Sequence, residues 1–305
     1  MKTILHSKPW LTESDSASIN KALQSGYIGS GGRTLEFERR LSQWVKASRP
    51  GVSVGSGSAA LVLALKALGC GPKDEVIVPT YVCPSVLEAV NASGARPIPC
   101  DVGEDWLVHP ANVAPLTTSK TKAIIVPHLY GIFADVKAFR SFGFPVIEDC
   151  AQAIGSKAGP GISGDVAIFS FQPTKCLTTG EGGMAISSDE RISARMRVLR
   201  DGGGAEGRQV FSPMSDLASA LGLSQLSRYG RMLARRKRIA SEYSRALARC
   251  LPEAAEKLRG LPTMFFRFPM MLPGGVGRYQ ALFLRRGIHV RRGVDRLIHR
   301  LLGLP

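Results

Sequence analysis

Short, continuously apolar runs alternating with helix-like stretches fill the first 190 residues and restrict the fold more than any other feature. The runs are 52–54, 75–79 (EVIVP), 96–100, 123–127, 145–148, 166–171 and 184–187, each bounded by Gly, Pro or Asp. Side chains of a strand alternate between two faces, so an unbroken apolar run marks a strand covered on both. Between the runs lie helix signals. One is 58–68, and another begins at Pro84, where a first-turn proline lacks only an N–H that the helix leaves unpaired anyway. Strand–helix alternation of this kind predicts an α/β domain: a three-layer αβα architecture around a mainly parallel sheet.

The pattern changes after residue 213. Leu217, Leu221, Leu226, Leu233, Ala240, Tyr243 and Leu247 are spaced as one or two amphipathic helices with a basic outer face. Beyond them, 265–272 (FFRFPMML) reads as a strand and 289–293 (HVRRG) as a candidate second one. Residues 1–25 read as a helical arm. The expected organisation is an arm (1–25), a large domain (26–235) and a small, shortened α+β domain (236–305).

Charge is unevenly placed. Residues 1–190 carry 17 Lys/Arg and 17 Asp/Glu, whereas residues 191–305 carry 23 and 7, the whole of the net +16. The plainest reading is a solvated arginine-rich face. A phosphate-bearing small substrate comes second. Nucleic acid comes last, because aromatics are sparse there and no zinc, helix-turn-helix or RNP motif occurs. No apolar run reaches the roughly 18 residues of a membrane helix. The N-terminus has no signal-peptide core. Six scattered cysteines without a CxxC pair fit a reducing compartment, so a cytoplasmic protein is expected.

Three segments carry chemistry. The first is VGSGSAALVLAL, where Gly55, Ser56, Gly57 and Ser58 stand at a helix start. Free N–H groups, the helix dipole and hydroxyls make this an anion site. The segment also fits the dinucleotide pattern GxGxxA, but the acids Asp74 and Glu75 precede the second strand, where a ribose-binding acid should close it. A turn needed only for tight packing is the plain alternative. The second segment is EDCAQA (148–153). Glu148 and Asp149 point to opposite sides of a strand, so one alone can face a given site; capping the next helix is the plain alternative. Gln152 follows one helical turn on. The third is SFQPTKCLTTGEGG (170–183), in which Lys175 lies between an apolar strand and small, polar and glycine residues, with Ser170 able to add a hydroxyl. A lone lysine is usually a surface charge. In the order glycine–serine helix start, acid, lysine, it matches a pyridoxal 5′-phosphate (PLP) site: Lys175 forms a Schiff base and moves protons, and Asp149 keeps the pyridine nitrogen protonated.

With these motifs the chain resembles the DegT/DnrJ/StrS family of nucleotide-sugar aminotransferases. The resemblance runs from about Gly26 to Leu247 and includes YIGSGGRTLEFER (27–39), GSGSAALVLALKALGCGPKDEVIVPTYV (55–82), GARPIPCDV (94–102), VPHLYG (126–131), VIEDCAQAIGS (146–156), the lysine run and MSDLASALGLSQL (214–226). It implies the PLP-dependent transferase fold of type I and amino transfer from an amino acid such as glutamate to a keto-sugar nucleotide. Lys175 and Asp149 become catalytic, and Gly57, Ser58, Gln152 and Ser170 become cofactor contacts. Cys83 stands where the family places an aromatic over the ring, and Phe211 where it has an asparagine. His128 lies near the site, although a satisfied structural histidine is as good a reading. A homodimer with shared active sites is implied, with the Tyr27 loop approaching the partner's pocket. The family continues beyond this chain's last residues, so the small domain is expected to be incomplete. The alternatives are a non-catalytic or truncated PLP-fold protein that regulates or scaffolds, and a PLP-dependent sugar dehydratase. The latter chemistry accompanies a histidine in place of the lysine.

Overall fold

A computed structural model describes residues 3–155, 162–202, 211–253, 256 and 260–305. The apolar runs form one sheet: β1 (Val52–Val54), β2 (Glu75–Pro79), β3 (Arg96–Cys100), β4 (Thr121–Pro127), β5 (Val146–Asp149), β6 (Val166–Ser170) and β7 (Gly183–Ile186). Their order is β1-β7-β6-β5-β4-β2-β3. Strands β2 to β6 pair in parallel, and β7 runs antiparallel to both its neighbours. The reversal at β7 has a local cause. Residues 171–182 form turns rather than the crossover helix that a parallel connection needs. The fully described α-helices are α1 (Glu13–Gln24), α2 (Gly32–Trp44), α3 (Gly57–Ala67), α4 (Pro84–Ser93), α5 (Pro110–Val113), α6 (Glu190–Asp201), α7 (Asp216–Ser227), α8 (Tyr229–Cys250), α9 (Val276–Arg285) and α10 (Ile298–Leu301).

The strands are apolar throughout because both faces are covered. Val76, Val78, Ile125, Ile147 and Ile168 join Leu61, Leu65 and Val86 of α3 and α4 in one core. Their alternates Ile77, Ile124, Val126 and Val146 pack with Val113, Val136 and Phe139 on the other side. On that side too, Ala167 and Phe169 of β6 meet Phe37, Leu41 and Tyr229 of α2 and α8. This is the expected three-layer arrangement.

Buried charge pins the helices to one another. Asp216 at the start of α7 accepts N–H bonds from Gly31 and Thr34 (both 2.9 Å) and thereby caps α2 from another element. Arg228 makes a two-pronged bond to Asp15, 2.8 Å on one prong, fixing the arm helix α1 to the α7–α8 junction. Helix α8 runs unbroken across the boundary expected between residues 235 and 236.

The C-terminal segment departs from expectation. Neither 265–272 nor 289–293 is a strand; the neighbouring pairings are isolated bridges, Ile132 with Thr263 and Ile4 with Ile288. The reason is local. Phe265 adopts a left-handed φ of 54°, and Arg236 of α8 donates to the carbonyls of Phe265 and Phe266 (3.1 and 3.0 Å), taking acceptors a strand ladder would need. The segment instead docks on the turn after β4, with N–H bonds from Met264 to Gly131 and from Arg267 to Tyr130. Gly131 has φ +85°, and a Cβ there would lie 2.8 Å from the Phe266 nitrogen, so this docking requires a glycine. Among the described residues no helix is long and apolar enough to cross a membrane.

Candidate active site

The carboxyl ends of β4, β5 and β6 and the first turns of α3 and α4 enclose a cavity of about 370 Å³. Parallel strands separate at their carboxyl ends, and side chains there project into the resulting crevice. Gly57, Ser58, Cys83, His128, Asp149, Gln152, Ser170 and Lys175 all line it. Of the residues singled out in the sequence, Tyr27 does not. It is 80% exposed on the outer surface, in a loop whose Gly29 carbonyl accepts from the Asp216 N–H.

The glycine–serine start of α3 forms a cradle. The Ser56 hydroxyl caps the helix by accepting from the Ala59 N–H (3.1 Å), which leaves the N–H groups of Gly57 and Ser58 without a helical partner. A Cβ on Gly57 would lie 2.6 Å from the Ser170 Cβ and 2.9 Å from its Oγ. The hydroxyls of Ser58 and Ser170 make no hydrogen bond among the described residues. A helix amino terminus, a groove only glycine leaves open and two free hydroxyls fit a phosphate group.

Asp149 and Glu148 divide as strand geometry requires. Glu148 turns away from the cavity, accepting from His128 Nε2 (2.8 Å) and from the N–H groups of Ser163 and Gly164 (2.7 and 2.9 Å). His128 Nδ1 accepts from the Ala134 N–H (3.0 Å), which places the ring proton on Nε2. Both nitrogens are thus occupied, and His128 offers the cavity its ring rather than an acid or base. His128, Glu148 and Cys150 bring donor atoms within 4.8 Å of one another, but these bonds make the group a satisfied buried network rather than an open metal site. Asp149 faces the cavity. Its Oδ1 accepts from the Ala151 N–H (2.9 Å), leaving Oδ2 available.

Burial pushes the Asp149 carboxyl up, against the opposing effects of the Ala151 N–H, Lys175 and His128. Burial likewise pushes the Lys175 amine down, although Asp149 favours its charged form. Each group is therefore shifted toward neutrality until a partner arrives. The Lys175 Nζ lies 5.6 Å from the centroid of the Phe266 ring and donates no hydrogen bond among the described residues. Gln152 Oε1 accepts from the Tyr130 N–H (2.8 Å), so its amide N–H₂ remains as the free donor.

The wall beside Cys83 is aliphatic, made by Leu61, Val82, Val86 and Ile168. Tyr81, the nearest aromatic in sequence, instead shares a hydrogen bond with the Tyr130 hydroxyl (2.8 Å). Phe211 is buried in the core beside α3. Thr178 and Thr179 are buried in the turn after Lys175 and bond to the carbonyls of Phe171 and Glu181. Glu181, in the GEGG turn expected to shape the entry, lines the cavity; Gln172 and Thr174 also line it, and the sequence did not single them out although both lie in the lysine run. The fit to PLP is chemical: an amine, a buried acid, an amide and an anion cradle share one cavity.

Comparison with known proteins agrees with this chemistry. The model of the DegT/DnrJ/EryC1/StrS aminotransferase family matches residues 9–287. GDP-perosamine synthase of Escherichia coli O157:H7 is 35% identical over 261 residues, covering 80% of this chain and 71% of that protein. Among solved structures, Spr1654 from Streptococcus pneumoniae in its PLP form superposes with a TM-score of 0.87 at 27% identity, covering 99% of this chain and 88% of that one. DesI in the presence of its TDP-sugar product superposes with a TM-score of 0.88 at 25% identity, covering 98% and 81%.

Proposed function

The chain belongs to the DegT/DnrJ/EryC1/StrS aminotransferase family, and on that premise we propose that Lys175 is the reacting amine of a PLP-dependent transfer from an amino-acid donor, glutamate in our reading, to a keto-sugar nucleotide. The observation that carries the reading is the meeting of the Lys175 amine, the Asp149 carboxyl and the Gly57–Ser58 helix start on one cavity. Bound there, PLP supplies an aldehyde that links to amines and a ring that accepts the electron pair left when a proton departs the amino-bearing carbon.

The protein's own groups do the rest. The Gly57 and Ser58 N–H groups and the Ser58 and Ser170 hydroxyls hold the phosphate. Asp149 Oδ2 holds the proton on the ring nitrogen; the positive charge beside it brings the carboxyl back to its ionised form. The Gln152 amide donates to the ring's oxygen substituent. Lys175 Nζ would anchor the cofactor and, once freed by the substrate's amine, would carry the proton between the amino-bearing carbon and the aldehyde-derived carbon on the other side of the nitrogen. An amine held toward its neutral form by burial is ready for both tasks. The same cavity serves donor and acceptor in turn, so the kinetics are ping-pong.

The experiment is a spectroscopic titration. Purified protein with added PLP is expected to develop a visible absorption band that bleaches with glutamate and returns with a keto-sugar nucleotide. Failure to develop any band would remove the assignment of Lys175.

A further inference from the structure

We propose that Arg267 receives an anionic group of a substrate, a carboxylate or a phosphate, beside the Lys175 cavity. The inference rests on the amino-transfer reading, which brings a donor carboxylate and a nucleotide diphosphate to this site.

The geometry is that of two cations on one ring. The Arg267 guanidinium lies 4.0 Å from the centroid of the buried Phe266 ring, and Lys175 Nζ lies 5.6 Å from the same centroid. The two charges are therefore no more than about 10 Å apart. Arg267 is held in place by bonds from Nη1 to the Phe266 carbonyl (3.0 Å) and from Nη2 to Ser7 Oγ (2.8 Å) and the Thr174 carbonyl (3.2 Å). Thr174 lines the cavity and precedes Lys175 in the chain. A guanidinium has five N–H donors, and these bonds use three. Nε–H and one Nη1–H are left without a partner among the described residues.

Among the described residues no carboxylate compensates the charge. Arg267 makes no ion pair among the described residues, whereas Arg200 and Arg228, also buried in part, each bind an acid. The titratable groups around it are Arg236, Arg291, His6 and the Cys176 thiol, and of these only Cys176 favours its charge. Burial and the neighbouring Arg236 and Arg291 push Arg267 down to about 10, and burial with Arg267 and Arg291 pushes His6 down. Arg236 gives its Nη1 donors to the carbonyls of Phe265 and Phe266. A fixed, partly desolvated guanidinium with two free N–H donors and no counter-ion among the described residues is built to accept an anion. It also gives part of the basic C-terminal segment a specific task.

The test is calorimetry on the PLP-loaded protein, with Arg267→Met and Arg267→Lys beside the unsubstituted chain. Two probes separate the sources: glutarate for a donor carboxylate, and GDP, then TDP, for a nucleotide diphosphate. Arg267→Met is expected to weaken one probe at least tenfold while the cofactor's absorption band is retained. Loss confined to glutarate assigns a carboxylate, and loss confined to the nucleotides assigns a diphosphate. Unchanged affinity for all probes, or no binding of any probe to the unsubstituted chain, overturns the proposal. If Arg267→Met does not fold or load, Arg267→Lys decides the matter. It keeps the charge but not the guanidinium's two free N–H donors, and a loss below threefold for every probe overturns the proposal. The amino-transfer reading fails separately, through the absence of a spectral response to amino donors in the unsubstituted chain.

Discussion

Gly57 and Ser170 approach so closely that a methyl group on Gly57 would sit 2.6 Å from the Ser170 Cβ. The contact joins the start of α3 to the end of β6 at the proposed phosphate cradle. Gly57→Ala must push the two apart, because real Cβ atoms do not tolerate such contacts. Retention of PLP should weaken at least about tenfold, since the donors must be placed for one phosphate position. Absorbance titration of the cofactor-free variant measures this, with far-ultraviolet circular dichroism as the control for folding. Equal affinity would show that the cradle does not hold the phosphate.

Lys175→Ala removes the only group proposed to link the cofactor and carry the proton. Turnover should fall by about 10³-fold or more. Borohydride reduction of the unsubstituted, PLP-loaded chain should fix a cofactor-sized mass on the peptide containing residue 175, and the variant should show none. A reduced adduct on another lysine would displace Lys175 from its role.

The parts of this site that were legible in sequence share a cause. Asp149 and Ser170 close strands, Gly57 and Lys175 follow strands within a few residues, and strand ends converge in a parallel sheet. Glu148 and Asp149 could be separated by strand alternation alone. Arg267 left no such mark. It reaches Lys175 through the pairing of 262–267 with the turn after β4, a long-range contact that no local pattern encodes. The same pairing explains the misread strand at 265–272. Its apolar run is real, but the carbonyls of Phe265 and Phe266 go to Arg236 rather than to a neighbouring strand.

The buried His128–Glu148 pair holds the turn that carries Tyr130 and Gln152's partner N–H. Glu148→Gln sets an amide donor against groups that only donate: the N–H groups of Ser163 and Gly164 or the His128 Nε2–H. Stability should drop by about 2–3 kcal/mol at neutral pH. Burial alone would raise the Glu148 carboxyl, yet the His128 bond and the backbone N–H groups bring it below its usual range. Its contribution is therefore present above the unfolded carboxyl value and is lost as pH falls through the folded one. Urea midpoints at several pH values check this; a variant as stable as the parent at neutral pH contradicts it.

Asp15 and Arg228 hold the arm to the body. Arg228 also donates to the Trp10 carbonyl (3.0 Å) and lies 5.3 Å from the centroid of the Trp10 ring. Asp15→Ala leaves a buried guanidinium uncompensated, at a cost of about 3–5 kcal/mol. Brief proteolysis should then cleave within residues 3–24 before any other site. Resistance of the arm to protease in this variant would show that packing of α1 on α7 suffices without the ion pair.

Asp149 and Lys175 should make the cofactor-free protein less stable than variants lacking their charge. Burial raises the Asp149 carboxyl, so from the unfolded value upward the unfolded chain releases that proton before the folded one does. Rising pH thus costs stability until the folded carboxyl also ionises, and the penalty stays constant above that point. For Lys175 the direction reverses. Its amine is pushed down, so the unfolded chain takes up a proton first as pH falls from the unfolded lysine value, and stability is again lost. Asp149→Asn keeps an oxygen for the Ala151 N–H and removes the ionisation. Its thermal midpoint without cofactor should exceed the parent's at pH 8, and the difference should vanish below about pH 3, where both unfolded and folded carboxyls are protonated. Added PLP should reverse the order, because only the parent can then pair an ionised carboxyl with a ring cation. A variant less stable than the parent at pH 8 without cofactor would mean that attraction to Lys175 outweighs the burial of Asp149.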